Sequence, residues 1–119
     1  MTKPFVYVVE DDPKLNEIIT ITLQDDFELE TCMDGGEALG RIREIVPNIV
    51  VLDLNLPGIS GADLLTYIRA DERLNNTCVI LATADKRQAE TLTDDADIVL
   101  LKPVSPRQLK ELSLRMSAH

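Results

Sequence analysis

Three acids stand in a row at Glu10, Asp11 and Asp12, and Asp53, Thr83 and Lys102 follow singly along the chain. Each of these four stretches closes an apolar run: Phe5–Val9, Ile49–Leu52, Val79–Ala82 and Ile98–Leu101. If the runs are parallel strands, all four stretches arrive at the carboxyl edge of one sheet, where open α/β sheets bind their ligands. A carboxylate cluster, a hydroxyl and an ammonium at one edge suit a divalent cation and a phosphoryl group.

Each piece has a plainer reading. An acidic run is usually a solvated turn, Lys102 is an ordinary surface lysine before a proline, and Thr83 bonds to local backbone. Taken singly, each plain reading is the better one. Four such residues at the ends of four strands make a poor coincidence. Asp12 doubles as a helix cap, which leaves Glu10 and Asp11 to face the site. Carboxylates so close repel one another and take raised pKa values unless a cation sits among them. Magnesium takes oxygen ligands, keeps several waters and uses one or two carboxylates plus a phosphate. Asp53 has a second use, because a carboxylate attacks phosphorus to give an aspartyl phosphate. Lys102 would then neutralise charge and Thr83 would donate a hydrogen bond.

The elements that must position these residues are legible as alternating strands and helices. After the first strand, Asp12-Pro13 is an N-cap followed by proline at the first helical position. Leu15, Ile18, Ile19 and Leu23 then recur at helical spacing to about Gln24. A second strand is predicted over roughly Glu28–Met33. Asp34 and Glu37 form a capping box for a helix carrying Ala38, Leu39, Ile42 and Ile45, which Pro47 ends. The third strand, Ile49–Asp53, is apolar on both faces, as a central parallel strand must be. Pro57-Gly58 turns the chain, and Ser60 with Asp63 caps a helix to about Ala70. Strand four is Cys78–Ala82, and the stretch Asp85–Thr93 has the weakest helical pattern of the set. Strand five is Ile98–Leu101, and the last helix opens at Ser105-Pro106-Arg107-Gln108. Alternating units of this length imply a parallel doubly wound sheet.

Composition bounds the partners. The chain has 119 residues, enough for one domain with one core, and is assigned throughout, 1–119, to it. Its net charge is −9, and Lys and Arg are scattered, which argues against nucleic acid as a direct partner. No apolar stretch reaches the length of a membrane span and no signal-peptide pattern follows Met1, so a cytoplasmic protein is expected. Cys32 and Cys78 fall in strands three spacings apart if the order is 2-1-3-4-5. That is about 14 Å, too far for a disulfide. No CxxC or neighbouring His supports a metal site at either. Met33 and Met116 read as packing residues, and His119, the only histidine and the last residue, as non-catalytic.

The whole set resembles the receiver domain of two-component response regulators, over essentially the whole chain. The residues that carry the resemblance are Val8-Val9-Glu10-Asp11-Asp12, then Asp53-Leu54-Asn55-Leu56-Pro57-Gly58 with Gly61, then Thr83-Ala84, then Lys102-Pro103. It implies a flavodoxin-like, doubly wound five-stranded parallel sheet of order 2-1-3-4-5 with five helices. It implies transfer of phosphate from the phosphohistidine of a sensor histidine kinase, or from a phosphotransfer protein, to Asp53. Mg²⁺ would be held by the Asp11 and Asp53 carboxylates and the Asn55 backbone carbonyl, with Glu10 helping. Thr83 and Lys102 would contact the phosphoryl oxygens and couple modification to shape. Such a protein catalyses only its own phosphorylation and dephosphorylation. Its partner surface, for a downstream protein or a second copy, would be the fourth helix, fifth strand and fifth helix. No output domain is read in this chain.

The sequence departs from the family at the switch. Val99 stands three residues before Lys102, where receivers commonly carry an aromatic, and Val104 replaces the familiar Phe after Lys102-Pro103. Thr83 and Lys102 are 19 positions apart, about one helical turn fewer than usual, so a short or irregular fourth helix is expected. These departures favour an alternative, a pseudo-receiver that binds proteins without switching. A flavin carrier is disfavoured, because it needs a Gly/Ser/Thr-rich phosphate loop where this chain has acids. A haloacid-dehalogenase-type phosphatase is disfavoured by the missing Asp-x-Asp after the first strand.

Overall fold

A computed structural model describes residues 3–117. Five strands alternate with five helices: β1 (Phe5–Val9), α1 (Pro13–Leu23), β2 (Glu28–Cys32), α2 (Gly35–Ile42), β3 (Ile49–Asp53), α3 (Gly61–Ala70), β4 (Cys78–Thr83), α4 (Lys86–Thr91), β5 (Ile98–Leu101) and α5 (Pro106–Ser117). The sheet is wholly parallel, in the order β2-β1-β3-β4-β5.

Alternation along the strands sorts the core into two layers, because successive side chains point to opposite faces. Tyr7, Val9, Val50, Leu52, Val79 and Leu81 pack on one face with Ala38 and Ile42 of α2 and Leu64, Leu65 and Ile68 of α3. Val6, Val8, Ile49, Val51, Ile80 and Leu100 pack on the other with Ile19 and Leu23 of α1 and Leu109 of α5. The central strand β3 is buried along its full length. Each fully buried Leu, Ile or Val contributes about 1.5–3 kcal/mol, so this strand anchors the site residue at its end.

Register sets the height of the strand ends. Val9 lies level with Leu52, Asp53 with Ala82, and Thr83 with Leu101. The residues that follow, Glu10 and Lys102, therefore emerge at the same edge as Asp53 and Thr83.

The expected helix starts are observed. Asp12 accepts from the Lys14 N–H at 3.0 Å, Asp34 from Glu37 at 2.9 Å, Ser60 from Asp63 at 3.2 Å and Ser105 from Gln108 at 3.2 Å. The fourth helix is short, with Asp85 as its cap. The chain after it is tied down by Arg69 of α3, whose guanidinium reaches the Asp95 carbonyl at 2.6 Å and the Asp97 carboxylate at 2.8 Å.

Several local expectations need correction. Ile18, placed on the inner stripe of α1, is exposed, because the buried stripe runs through Asn16, Ile19 and Leu23 instead. Met33 lies past the end of β2, which stops at Cys32, and is exposed rather than packed. Leu23 closes α1, with Gln24 as its cap, and β4 runs one residue further, through Thr83. A short 3-10 helix at Glu72–Leu74, absent from the sequence reading, buries Leu74. Cys32 and Cys78 are free thiols, both half-buried. His119 lies outside the described residues. No helix among the described residues is long and apolar enough to cross a membrane.

Candidate functional site

The site is assembled at the carboxyl edge from β1, β3 and β5. Asp53 is the last residue of β3 and is buried. Its Oδ1 accepts the N–H of Asn55 at 3.1 Å, which holds the carboxylate against the turn that follows. That turn is shaped by two glycines. Gly58 has φ +78°, a left-handed conformation open to glycine. Gly61, at the start of α3, donates its N–H to the Leu54 carbonyl at 3.1 Å. A Cβ at this position would collide with the Asp53 carbonyl oxygen and the Leu54 Cα, so the helix packs directly on the backbone carrying Asp53.

Glu10 follows β1 and is as buried as Asp53. Its backbone N–H donates to the Cys32 carbonyl at 3.0 Å, and its Oε2 accepts the Asp12 N–H at 3.2 Å. Asp12 itself is spent on the helix cap. Asp11, between them, is exposed. Glu10, Asp11 and Asp53 each offer a carboxylate oxygen, all within 4.8 Å of one another. Hard oxygen donors in this number suit Mg²⁺.

Lys102 reaches into the same cluster from the end of β5. Its Nζ lies 3.0 Å from Glu10 Oε1 and 3.3 Å from Asp53 Oδ2. The Glu10 carboxyl is pushed up to about 7: burial raises it most, the Lys102 hydrogen bond lowers it, and the hydrogen bond and charge of Asp53 raise it. For Lys102, burial favours the neutral amine, but the hydrogen bond to Glu10 and the charges of Glu10 and Asp53 outweigh it and raise the pKa. A single ammonium thus faces two buried carboxylates, an acidic excess that a divalent cation would relieve.

Thr83 is fully buried beside the cluster. Its hydroxyl accepts the Asp85 N–H at 3.0 Å, and its carbonyl accepts the Lys102 N–H at 2.8 Å. The structure therefore gathers Glu10, Asp11, Asp53 and Lys102 through their side chains, brings Asn55 in through its N–H, and holds Thr83 adjacent with its hydroxyl turned to the cap of α4.

One contributor went unread in the sequence. Asn16, buried on the inner face of α1, donates from Nδ2 to the Glu10 carbonyl at 3.0 Å. Its signal was a polar residue at helical spacing with Ile19 and Leu23, where an apolar one belongs.

The family model of the response regulator receiver domain matches residues 6–113. The chain is 36% identical over 108 residues to the DNA-binding response regulator MtrA of Mycolicibacterium smegmatis, covering 87% of this chain and 46% of that protein. It is 32% identical over 110 residues to hybrid signal transduction histidine kinase D of Dictyostelium discoideum, covering 90% of this chain and 7% of that one. The chain thus spans about half the length of the MtrA relatives it matches. Among solved structures, the beryllofluoride-activated DrrB receiver domain superposes with TM-score 0.89 at 26% identity, covering 99% of this chain and 100% of that one. The response regulator TrrA of Thermotoga maritima, in complex with Mg²⁺ and beryllofluoride, gives TM-score 0.84 at 30% identity, with 98% and 99% covered.

Proposed function

The chain belongs to the response regulator receiver-domain family, and on that premise we propose that it is a phosphoacceptor that carries a phosphoryl group on Asp53. The observation that carries this reading is the cluster itself: a buried Asp53 carboxylate 3.3 Å from the Lys102 ammonium, with oxygens of Glu10 and Asp11 within 4.8 Å. An Asp53 oxygen attacks the phosphorus of a phosphohistidine. The P–O bond forms, the P–N bond breaks, and the imidazole nitrogen leaves with its electron pair and takes up a proton. Lys102 faces the developing charge on the transferred oxygens, and Thr83 supplies a hydroxyl once it leaves the Asp85 amide.

The Asp11 and Asp53 carboxylates and the Asn55 carbonyl, with Glu10 behind them, would hold Mg²⁺. When bound, the ion neutralises charge on the acid cluster and on the phosphoryl oxygens. The phosphate donor is a sensor histidine kinase or a phosphotransfer protein. The α4–β5–α5 face, where Leu101 is exposed, is the surface offered to a downstream protein or a second copy. The DNA binding named for MtrA belongs to a protein twice this length, and the acid balance here gives this domain no direct role in it. Cytoplasmic residence follows from the same reading.

Intact mass after incubation with acetyl phosphate, with and without Mg²⁺ and against Asp53→Asn, tests the proposal. One added phosphate that requires both Mg²⁺ and Asp53 is the expected result. The second reading, a protein-binding pseudo-receiver, is favoured by the six-residue α4 and by Val99, whose short side chain packs on the core. Absence of an adduct together with failure to bind beryllofluoride would select it.

A further inference from the structure

We propose that Asn16 is a positioning residue for the divalent-cation site, an inference that rests on the phosphoacceptor reading above. The acid turn from Glu10 to Asp12 is short and its central residue, Asp11, is exposed. Something must hold that turn while Asp11 reaches toward Asp53. The Asn16 side chain closes it: Nδ2 donates to the Glu10 carbonyl at 3.0 Å, while the backbone N–H makes the ordinary first-turn helix bond to the Asp12 carbonyl at 2.9 Å. The start of α1 fixes Asp12, and the Asn16 side chain ties Glu10, on the other side of Asp11, to the same turn of the helix. Asn16 is 8% exposed, so water cannot readily take over its role at the Glu10 carbonyl.

Outer-shell partners that orient metal ligands are worth at least about tenfold in metal affinity. Asn16 acts through the backbone of its neighbours and does not touch the ion, so its removal should loosen the site while the fold remains.

The test is a titration of Mn²⁺ alone, read by electron paramagnetic resonance of the free ion, on the full chain and on Asn16→Leu and Asn16→Ala. Thr20→Val is the control: the Thr20 hydroxyl donates to the Asn16 carbonyl at 2.9 Å, one turn further along α1 from the acid turn. Thermal unfolding is recorded for each variant. The expected result is Mn²⁺ affinity weakened about tenfold in both Asn16 variants and unchanged in Thr20→Val, whatever the melting temperatures. Tight binding by the wild type with affinities within about twofold in the Asn16 variants would overturn this inference alone. No binding by the wild type would overturn it together with the metal-assisted phosphoacceptor reading.

Discussion

The ammonium of Lys102, at the end of β5, and the carboxylate of Glu10, at the end of β1, stand 3.0 Å apart although β3 and β4 lie between their strands. The lysine spans the site and compensates two buried acids at once. Replacing it by Met leaves Glu10 and Asp53 without a counter-charge. Breaking a fully buried pair costs about 3–5 kcal/mol, and Lys102 is partly exposed, so a loss of about 2–3 kcal/mol is expected. Urea unfolding of Lys102→Met in metal-free buffer measures it, and Mg²⁺ should restore part of the loss.

Magnesium should stabilise the wild type by mass action, raising its melting temperature as the ion is titrated in. Asp11→Asn removes an exposed proposed ligand with little effect on the metal-free fold. Its melting temperature should therefore match the wild type in EDTA and fail to rise with Mg²⁺. Equal responses of the two proteins to Mg²⁺ would remove Asp11 from the ligand set.

Gly61→Ala forces a Cβ into the backbone carrying Asp53 and Leu54, where nothing flexible can yield. A loss of about 3 kcal/mol is expected, at the upper end for overpacking, with slower phosphorylation because Asp53 is displaced. Gly40, inside α2, has nothing within 4 Å of its would-be Cβ beyond its chain neighbours and the helix's own backbone. Gly40→Ala should raise stability by about 0.5–1 kcal/mol. Denaturant midpoints of the two variants should move in opposite directions.

Away from the site, Arg41 holds Glu30 through two hydrogen bonds, at 2.7 and 2.8 Å. The hydrogen bonds from Arg41 lower the Glu30 pKa. A carboxyl depressed in the folded state contributes stability above its ordinary pKa and loses it as pH falls through the folded value. The difference in stability between wild type and Glu30→Gln should be present at pH 7 and fade below about pH 4. A difference constant from pH 7 to pH 3 would exclude this pairing in solution.

A phosphoryl group placed on Asp53 should be short-lived. Asn55 and Asp85, the residues two after Asp53 and two after Thr83, are both exposed and polar. The Asp85 carboxylate is held by the Arg87 and Gln88 N–H groups at 3.0 and 3.1 Å, so it is engaged at the start of α4 instead of covering an acyl phosphate. Decay followed by intact mass in Mg²⁺ should be complete in minutes, and persistence for hours would contradict it.

The strand ends, helix caps and chemical set were legible from residue order, because periodicity, capping and a sheet's carboxyl edge are local rules with one geometric consequence. Asp53 had to end β3 once Ile49–Leu52 read as a buried run, and Ser60, Asp34 and Asp12 had to start helices. The same local reading put Ile18 and Met33 inward, and both are exposed, because neighbouring elements decide which stripe of a helix or which strand end is covered. The bond from Asn16 to the Glu10 carbonyl and the bridge from Lys102 to Glu10 are likewise products of tertiary structure. Residue types and spacing determined which groups reach the edge of the sheet. Which of them pair, and which residue steadies the acid turn, was decided only when the packing of α1 on the sheet and the place of β5 within it set distances that no sequence interval encodes.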